Sequence, residues 1–358
     1  MTVSVIILNW NGRALLEEFL PSVVCHTPAE IAEIIVADNG SSDDSVAWLN
    51  ELFPSIRVIR LEKNFGFAEG YNKAIAQIDS LYTVLLNSDV EVTPGWLEAP
   101  LSMLEADRSI AAVQPKILSF TDKKKFEYAG AAGGFIDRYG YPFCRGRVLS
   151  VVEKDHGQYD TVAELLWASG ACLFIRTEVY EQEGGLDANF FAHQEEVDMC
   201  WRLRARGYRI VCTPQSVVYH VGGGTLNVES QQKTYLNFRN NLLMLYKNLP
   251  QKEVKKVLRV RWWLDWLAAF QFFITGHPKN TVAVARARRD FKRLRKDYAV
   301  VREENLQKTV TGLISEIYPS SLLLAFYIGG KKSFSELFSP ETPCSLHVGR
   351  QSFKGGEK

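Results

Sequence analysis

The chain has 358 residues, which is enough for one large domain and an appendage, and 46% of them are hydrophobic, as in well-packed globular proteins. Its net charge of +1 is unevenly distributed, because residues 231–358 carry 23 Lys and Arg against 10 Asp and Glu, while residues 1–230 carry 19 against 31. We therefore predict an acidic body over residues 1–230 and a basic C-terminal part over residues 231–358 that meets something anionic.

Three features of the sequence concern its location in the cell. No run approaches the roughly 18 uncharged apolar residues of a membrane span. The chain begins directly with a strand pattern, so we do not expect a signal peptide. Its six cysteines are scattered without a Cys-x-x-Cys pair, which indicates free thiols in a reducing compartment. These features favour a cytoplasmic protein.

The first ninety residues alternate strand and helix patterns. Apolar runs predict strands at 3–9, 31–37, 56–61 and 84–86, with helical patterns between them. Strands separated by helices predict an α/β fold with a doubly wound, mainly parallel sheet.

Polar residues follow three of these strands. In an open α/β sheet, ligands bind outside the carboxyl ends of the strands. There Asp38 can accept a hydrogen bond from a pyrimidine N–H, and Asn9 and Trp10 can contact base or ribose. Asp89 can hold a divalent cation, which in turn holds a diphosphate. The alternative for Asp89 is the cap of a helix that starts near residue 94.

A glycine-containing segment, residues 64–72, precedes the strand at 84–86. Gly66 and Gly70 allow close backbone approach, and the helix start behind them suits negative charge. Their spacing matches neither the dinucleotide-binding fingerprint nor a P-loop. Ordinary turn chemistry remains the alternative for each segment taken alone.

The middle of the chain is less informative until residue 167. We predict a strand at 110–114, and a binding loop or irregular hairpin in the glycine- and aromatic-rich residues 128–147. The small residues at 168–171, which include Gly170 and Ala171, permit a ligand to lie against the backbone.

A second polar segment begins near Gln194, where a helix is predicted to start. Glu195 and Glu196 then lie in its first turn, where the helix dipole alone explains two acids. The i,i+4 spacing of Asp198 and Arg202 predicts a surface ion pair. Further on, an apolar strand ends in His220, and a lone histidine at a strand end is ordinarily structural.

Four segments occur in order, and they carry a family resemblance: residues 5–12, 36–43, 64–72 and 86–89. Together they resemble the family-2 glycosyltransferases with a GT-A fold, especially their bacterial rhamnosyltransferase-like branch, over roughly residues 3–245. The resemblance implies a nucleotide-diphosphate-sugar donor, a divalent metal and inversion at the anomeric carbon. Asn87-Ser88-Asp89 stands in the place of the family's Asp-x-Asp and keeps one carboxylate, Asp89.

The resemblance also implies roles for individual residues. Glu195-Glu196 matches the family's acidic pair, with Glu196 at the position of the base that takes the acceptor proton, although the choice between the two stays open. His220 matches a metal ligand that would join Asp89 around Mn²⁺ or Mg²⁺, and Gly222 to Gly224 would form a flap over the donor. Gly170, Ala171 and Trp201 are assigned to the acceptor side. The donor-binding residues are predicted to be Asn9, Trp10, Asp38, Asn64, Gly66, Phe67, Gly70, Asn72, Asn87 and Ser88.

The C-terminal part contains a helical stretch, residues 235–248, which also resembles the family, and an aromatic-rich stretch, residues 262–274. The second is too short to span a bilayer and is interrupted by Asp265. Basic residues flank it on both sides, as in helices that lie in a membrane interface. The alternative is a helical subdomain whose aromatics pack on the core. We find no nucleic-acid-binding motif.

The sequence thus predicts a metal-dependent inverting glycosyltransferase at the inner face of a bacterial membrane. Its substrates would be a nucleotide-diphosphate-sugar, with rhamnose among the candidate sugars, and a glycan or lipid-linked acceptor. One alternative is a sugar nucleotidyltransferase, but residues 9–12 lack the basic glycine-rich loop that such an enzyme needs. The other is an inactive carbohydrate-binding relative.

Overall fold

A computed structural model describes residues 2–222, 230–311 and 314–338. Gly223 and Gly224 of the predicted flap, and Cys344, lie outside the described residues. The helices in chain order are α1 (Arg13–His26), α2 (Ser45–Leu52), α3 (Gly66–Ile75), α4 (Glu98–Ala106), α5 (Thr177–Gln182), α6 (Glu195–Ala205), α7 (Gln231–Asn248), α8 (Gln251–Ile274), α9 (Pro278–Leu294), α10 (Tyr298–Gln307), α11 (Leu322–Tyr327) and α12 (Phe334–Leu337).

The strands form two sheets. In chain order they are β1 (Val3–Asn9), β2 (Ala32–Asp38), β3 (Arg57–Arg60), β4 (Tyr82–Asn87), β5 (Val90–Val92), β6 (Ile110–Ser119), β7 (Gly134–Asp137), β8 (Pro142–Cys144), β9 (Arg147–Val148), β10 (Val151–Val152), β11 (Ala163–Glu164), β12 (Cys172–Arg176), β13 (Arg209–His220) and β14 (Ile317–Tyr318).

The large sheet confirms the predicted α/β fold. Its strands follow the order β11-β13-β6-β12-β4-β1-β2-β3, and β5 pairs with β13. From β4 to β3 all neighbours are parallel, as the alternation of strands and helices predicts. Strand β12 runs antiparallel to both β4 and β6, so the other half of the sheet is mixed. The parallel half brings the ends of β1, β2 and β4 to one edge.

The small sheet has the order β10-β9-β8-β7-β14. Of the two alternatives for residues 128–147, the hairpin describes this segment, since β7 pairs antiparallel with β8. Strand β14 comes from the C-terminal region and pairs parallel with β7. The C-terminal region therefore contributes a strand to the body of the protein.

Helix α8 has two different faces. Arg261 and Asp265 are buried on one face, where Arg261 donates to the carbonyl of Tyr139 at 2.8 Å. Trp263 and Phe270 lie on the other face and are exposed. Asp265, which interrupts the aromatic stretch in the sequence, thus belongs to the packed face. No helix in the described residues is both long and apolar enough to cross a bilayer.

The predicted surface pair of Asp198 and Arg202 is wrong, because both side chains are buried. Helix α7 covers this part of α6 and brings Lys247, whose Nζ lies 2.7 Å from Asp198 Oδ2 and 2.7 Å from Asp187 Oδ2. The i,i+4 spacing correctly predicts the contact between Asp198 and Arg202, at 3.1 Å, but not the helix that packs over it.

Candidate functional site

Asp89 and His220 meet at the edge of the large sheet. Asp89 lies in the turn between β4 and β5, and His220 ends β13, which pairs with β5. The Nε2 atom of His220 lies 3.1 Å from Asp89 Oδ1 and 3.4 Å from Asn87 Nδ2. Because strand β5 follows Asp89 directly, Asp89 is not the cap of a helix. The structure thus brings together Asn87, Asp89 and His220.

Glu127 completes this cluster, and the sequence analysis missed it. Its Oε1 lies 3.5 Å from Nδ1 of His220, and its Oε2 accepts from the backbone N–H of Ala129 at 2.6 Å. Glu127 lies 93 residues before His220 in the chain, outside any predicted motif, so no spacing could have identified it.

The charges in this cluster are coupled. Burial disfavours the charged form of His220, but hydrogen bonds to Asp89 and Glu127 outweigh it and raise the pKa of His220 to about 10. Burial acts to raise the pKa of Asp89, yet the bond from His220 leaves that pKa below its usual value. The site therefore favours a carboxylate at Asp89 and positive charge beside it.

Glu195 and Glu196 occupy the first turn of α6, as predicted. Within the described residues, the Oε2 atoms of both are buried and have no hydrogen-bond partner. Burial raises the pKa of Glu196 to about 7, and burial together with the charge of Glu196 raises the pKa of Glu195 well above its usual value. A carboxyl group that titrates near neutrality is suited to act as a general base.

The loop before α6 is strained. Phe191, His193 and Gln194 have φ values of 66°, 71° and 72°, a left-handed conformation that side chains other than glycine rarely adopt. The side-chain amide of Asn240 on α7 lies 2.8–2.9 Å from three carbonyl oxygens of this loop: those of Phe190, Ala192 and His193. Helix α7 therefore holds the segment that leads into the acidic pair.

The same loop contacts the predicted donor helix. The carbonyl of Phe191 accepts from the N–H groups of Phe67 and Ala68 at 2.6 and 3.2 Å. Gly66 has φ +79°, and a Cβ there would lie 2.5 Å from the Phe191 ring. Glycine at position 66 is thus required for α3 to approach the loop that precedes the acidic pair.

Asn9 and Asp38 lie side by side at the ends of β1 and β2, where Asn9 Nδ2 is 3.4 Å from Asp38 Oδ1. Asn9 also donates to Ser45 Oγ at 3.0 Å, while the neighbouring Trp10 is exposed. Ser88 lies at the adjacent end of β4, next to Asn87. These residues share one edge of the sheet, as predicted, and their donor-binding role stays a prediction.

Other predicted donor-binding residues contact the protein itself. Asn64 Oδ1 accepts from the N–H of Gly66 at 2.8 Å. A Cβ on Gly70 would lie 3.0 Å from Leu8 on β1. The side chain of Asn72 donates to the carbonyl of Leu186 and accepts from the hydroxyl of Tyr180. In the structure, these contacts position α3 against β1 and the segment before α6.

The predicted acceptor-side residues are divided between two places. A Cβ on Gly170 would lie 3.0 Å from Cζ of Phe67, and the carbonyl of Ala171 accepts from the N–H of Asn87 at 3.0 Å. Both residues therefore adjoin the predicted donor elements. Trp201 is packed in the hydrophobic core on α6.

A chain of contacts joins the loop before α6 to the cluster at His220. The carbonyl of Phe191 accepts from the N–H of Phe67, and a Cβ on Gly170 would lie 3.0 Å from Cζ of Phe67. The neighbouring Ala171 accepts through its carbonyl from the N–H of Asn87, whose side-chain Nδ2 lies 3.4 Å from His220. The loop that leads into the acidic pair and the cluster at His220 therefore belong to one region of the molecule.

Comparison with known proteins agrees with this geometry. The family model described as glycosyl transferase family 2 matches residues 4–162. The N-acetylglucosaminyl-diphospho-decaprenol L-rhamnosyltransferase of Mycobacterium tuberculosis is 26% identical over 60% of this chain and 75% of its own length. The O-antigen biosynthesis protein RfbC of Myxococcus xanthus is 28% identical over 61% of this chain and 17% of its own length.

A solved structure supports the fold. The crystal structure of GalNAc-T7 with UDP, GalNAc and Mn²⁺ aligns with a TM-score of 0.56 at 17% identity, over 82% of this chain and 54% of the other. This chain thus spans about half the length of that protein. The chain is thus similar to the family 2 glycosyltransferases over residues 4–162, and its sheet topology together with this alignment gives it a GT-A fold.

Proposed function

We propose that the protein is an inverting glycosyltransferase of cell-surface polysaccharide synthesis, which moves a sugar from a nucleotide-diphosphate-sugar to a glycan or lipid-linked acceptor. Two observations carry this proposal: the Oε2 atom of Glu196 is buried without a hydrogen-bond partner among the described residues, and the loop before α6 is joined through Phe67 to the sheet edge that holds Asp89 and His220. The names of the relatives from M. tuberculosis and M. xanthus support the class of pathway, and the first supports rhamnose and a lipid-diphosphate acceptor.

The mechanism follows from the placement of these side chains. Glu196 takes the proton of the acceptor hydroxyl while the acceptor oxygen bonds to C1 of the sugar. The bond between C1 and the phosphate oxygen breaks, and the nucleoside diphosphate leaves with the bonding electrons. A single displacement of this kind inverts the anomeric carbon. The residues at the ends of β1 and β2, including Asn9 and Asp38, would hold the nucleoside.

Asp89 and His220 fit a divalent metal, Mn²⁺ or Mg²⁺. Their carboxylate and imidazole are ligand types that suit Mn²⁺, and the side-chain amide of Asn87 lies beside them with Nδ2 toward His220. Glu127 contacts the far nitrogen of His220, which is the arrangement that orients metal-binding histidines. The described residues contain no group of three or more His, Cys, Asp or Glu arranged around one centre. Asp89 and His220 would therefore share the metal with diphosphate oxygens, whose charge it neutralises when bound.

The metal proposal predicts an effect of Glu127. The variant Glu127→Gln should bind Mn²⁺ about 10- to 100-fold more weakly, the usual consequence of removing a carboxylate that orients a histidine ligand. Titration of free Mn²⁺ by electron paramagnetic resonance measures this without turnover. The control is Glu91→Gln on β5, which removes a partly exposed carboxylate paired with Lys123. Equal Mn²⁺ affinity in both variants would contradict the role of Glu127.

The proposed reaction is tested by product analysis with a panel of nucleotide sugars that includes a nucleotide-linked rhamnose. We expect release of nucleoside diphosphate and an acceptor product whose anomeric configuration is opposite to that of the donor. Release of pyrophosphate would instead indicate a sugar nucleotidyltransferase, and no turnover with any donor would indicate a binding protein.

We also propose that the two parts of the chain have different roles. Residues 1–230 would form the catalytic domain, and the helical region in residues 231–358 would associate with the inner face of the cell membrane. The exposed side of α8 supports this role, because it presents apolar side chains to solvent beside a strongly basic region. These side chains are Trp262, Trp263, Trp266, Leu267, Phe270, Phe273 and Ile274.

The membrane proposal predicts that a triple variant, Trp263→Ser, Phe270→Ser and Phe273→Ser, loses most of its binding to anionic vesicles. Apolar insertion is only weakly sensitive to salt, so the difference from wild type should persist at high ionic strength. Co-sedimentation measures the bound fraction. The double variant Leu52→Ser and Leu81→Ser removes exposed apolar side chains from the body of the protein and should bind normally. Unchanged binding of the triple variant would refute insertion through α8.

A further inference from the structure

A groove of about 400 Å³ lies between α8 and α9. Helix α8 contributes Lys255, Leu258, Arg259 and Trp262, whose spacing places them on one helix face. Helix α9 contributes Arg288 and Phe291, and Arg295, the residue directly after the helix, continues the same side. The groove therefore combines four cations with three apolar side chains.

Most of the positive charge in the groove is uncompensated. Arg288 is engaged, because it donates to the buried carboxylate of Asp265. Lys255, Arg259 and Arg295, by contrast, form no ion pair with an acidic group in the part of the chain that the structure describes. Two guanidinium groups and one ammonium group thus face the same opening, a set of donors suited to a phosphate group.

The apolar side of the groove continues into the exposed face of α8. The ring of Trp262 lies 4.7 Å from that of Trp263 and 6.3 Å from that of Trp266, measured between centroids. A ligand with its phosphate among the cations would therefore have its apolar part next to these indoles. An amphiphile matches both ends of this surface, whereas free phosphate matches only one.

We propose that the groove binds the phosphate of an anionic phospholipid, with Trp262 against the glycerol and acyl part of the same molecule. This inference rests on the proposed membrane association and goes beyond it, because it assigns a defined lipid site to α8 and α9. Such a site would determine which face of α8 points toward the membrane. General electrostatic attraction and insertion of apolar side chains do not by themselves select one face.

The test compares two variants with the same loss of charge. Arg259→Gln with Arg295→Gln removes two cations from the groove, and Lys279→Gln with Lys308→Gln removes two exposed cations that do not line it. Soluble short-chain phosphatidylglycerol is titrated into each protein, followed by tryptophan fluorescence. We expect the groove variant to bind the lipid about 10-fold more weakly than the control variant. If the cations acted only through their general attraction for an anionic lipid, the two pairs would contribute similarly, and the two variants would bind equally. All four side chains are exposed, so both variants should keep the wild-type Tm.

Three outcomes would overturn the lipid site. The first is equal loss of affinity in both variants, the second is equal affinity for short-chain phosphatidylcholine, and the third is binding of inorganic phosphate as tight as that of the lipid. The triple variant of the exposed α8 face separates this inference from membrane association. If that variant loses vesicles but retains short-chain phosphatidylglycerol, the groove binds lipid independently. If vesicles bind normally while the soluble lipid does not bind, the membrane proposal stands and the groove proposal fails.

Discussion

Replacing Glu196 with glutamine should lower kcat by roughly 10²- to 10⁴-fold, the range for loss of a general base. The donor affinity should be nearly unchanged, because glutamine keeps the size of the side chain while losing the ability to take a proton. Steady-state kinetics with a saturating acceptor measure kcat, and calorimetric titration of the donor measures its affinity.

Glu195→Gln is the matched control for this prediction. It makes the same chemical change one residue earlier in the same helical turn, at a side chain that is buried, whereas Glu196 is only partly buried. We expect a smaller loss of kcat than for Glu196→Gln. If the order is reversed, the base is Glu195, the alternative that the sequence leaves open.

The pH profile gives a second measurement on the same variant. Glu196 acts in its deprotonated form, so a pKa raised to about 7 predicts that kcat/KM falls as the pH is lowered below neutrality. Glu196→Gln should lose this acidic limb. The free energy of unfolding should depend on pH in the opposite sense to kcat/KM. Between the usual pKa of glutamate and 7, Glu196 binds a proton in the folded state but not in the unfolded state. The contribution of Glu196 to stability therefore decreases as the pH rises through this range. A wild-type kcat/KM that does not change below pH 7 would contradict the assignment of Glu196 as the base.

The sequence could predict those site residues whose place in the fold follows from the strand or helix pattern of their own segment. An apolar strand followed by a polar residue places that residue at the edge of a parallel sheet, so the amino-acid sequence alone is enough to group Asn9, Asp38 and Asp89. The first turn of α6 could be located because Gln194 precedes a continuous helical pattern. These inferences need only the periodicity of each element and the alternation of strands with helices.

The parts that sequence could not predict depend on contacts between distant segments. Glu127 reaches His220 from 93 residues away, and strand β12 enters the sheet antiparallel between β4 and β6, which are both remote from it in the chain. The side-chain amide of Asn240 holds the strained loop across about 50 residues of chain. Sequence spacing cannot predict these contacts, because they form only when distant segments pack together. The burial of Asp198 has the same origin.

The burial of Asp198 leads to the largest expected effect on stability. Lys247→Ala should lower the free energy of unfolding by about 3–5 kcal/mol, the cost of removing one partner from a buried ion pair. Lys247 Nζ lies 2.7 Å from both Asp187 and Asp198, and Asp198 is fully buried. Burial acts to raise the pKa of Asp198, and Lys247 together with Arg202 outweighs it and leaves that pKa below its usual value. Without Lys247, Asp198 keeps its charge in an apolar setting with less compensation. Urea denaturation followed by circular dichroism measures the change.

The control for Lys247→Ala is Lys73→Ala, which breaks a partly exposed i,i+4 pair with Glu69 on α3 and should cost no more than about 1 kcal/mol. The double variant Lys247→Met with Asp198→Asn removes both buried charges together and should recover part of the lost stability, since Arg202 alone no longer has to compensate the charge of Asp198. Arg202 keeps the carbonyl oxygens of Glu183 and Gly185 as acceptors. The pH dependence gives a further check. A carboxyl with a lowered pKa stabilises the folded state above its unfolded pKa, so wild type should lose this contribution as the pH falls through the acidic range, and the double variant should not. If Lys247→Ala were as stable as Lys73→Ala, the ion pairs of Lys247 with Asp187 and Asp198 would contribute little to the attachment of α7 to α6.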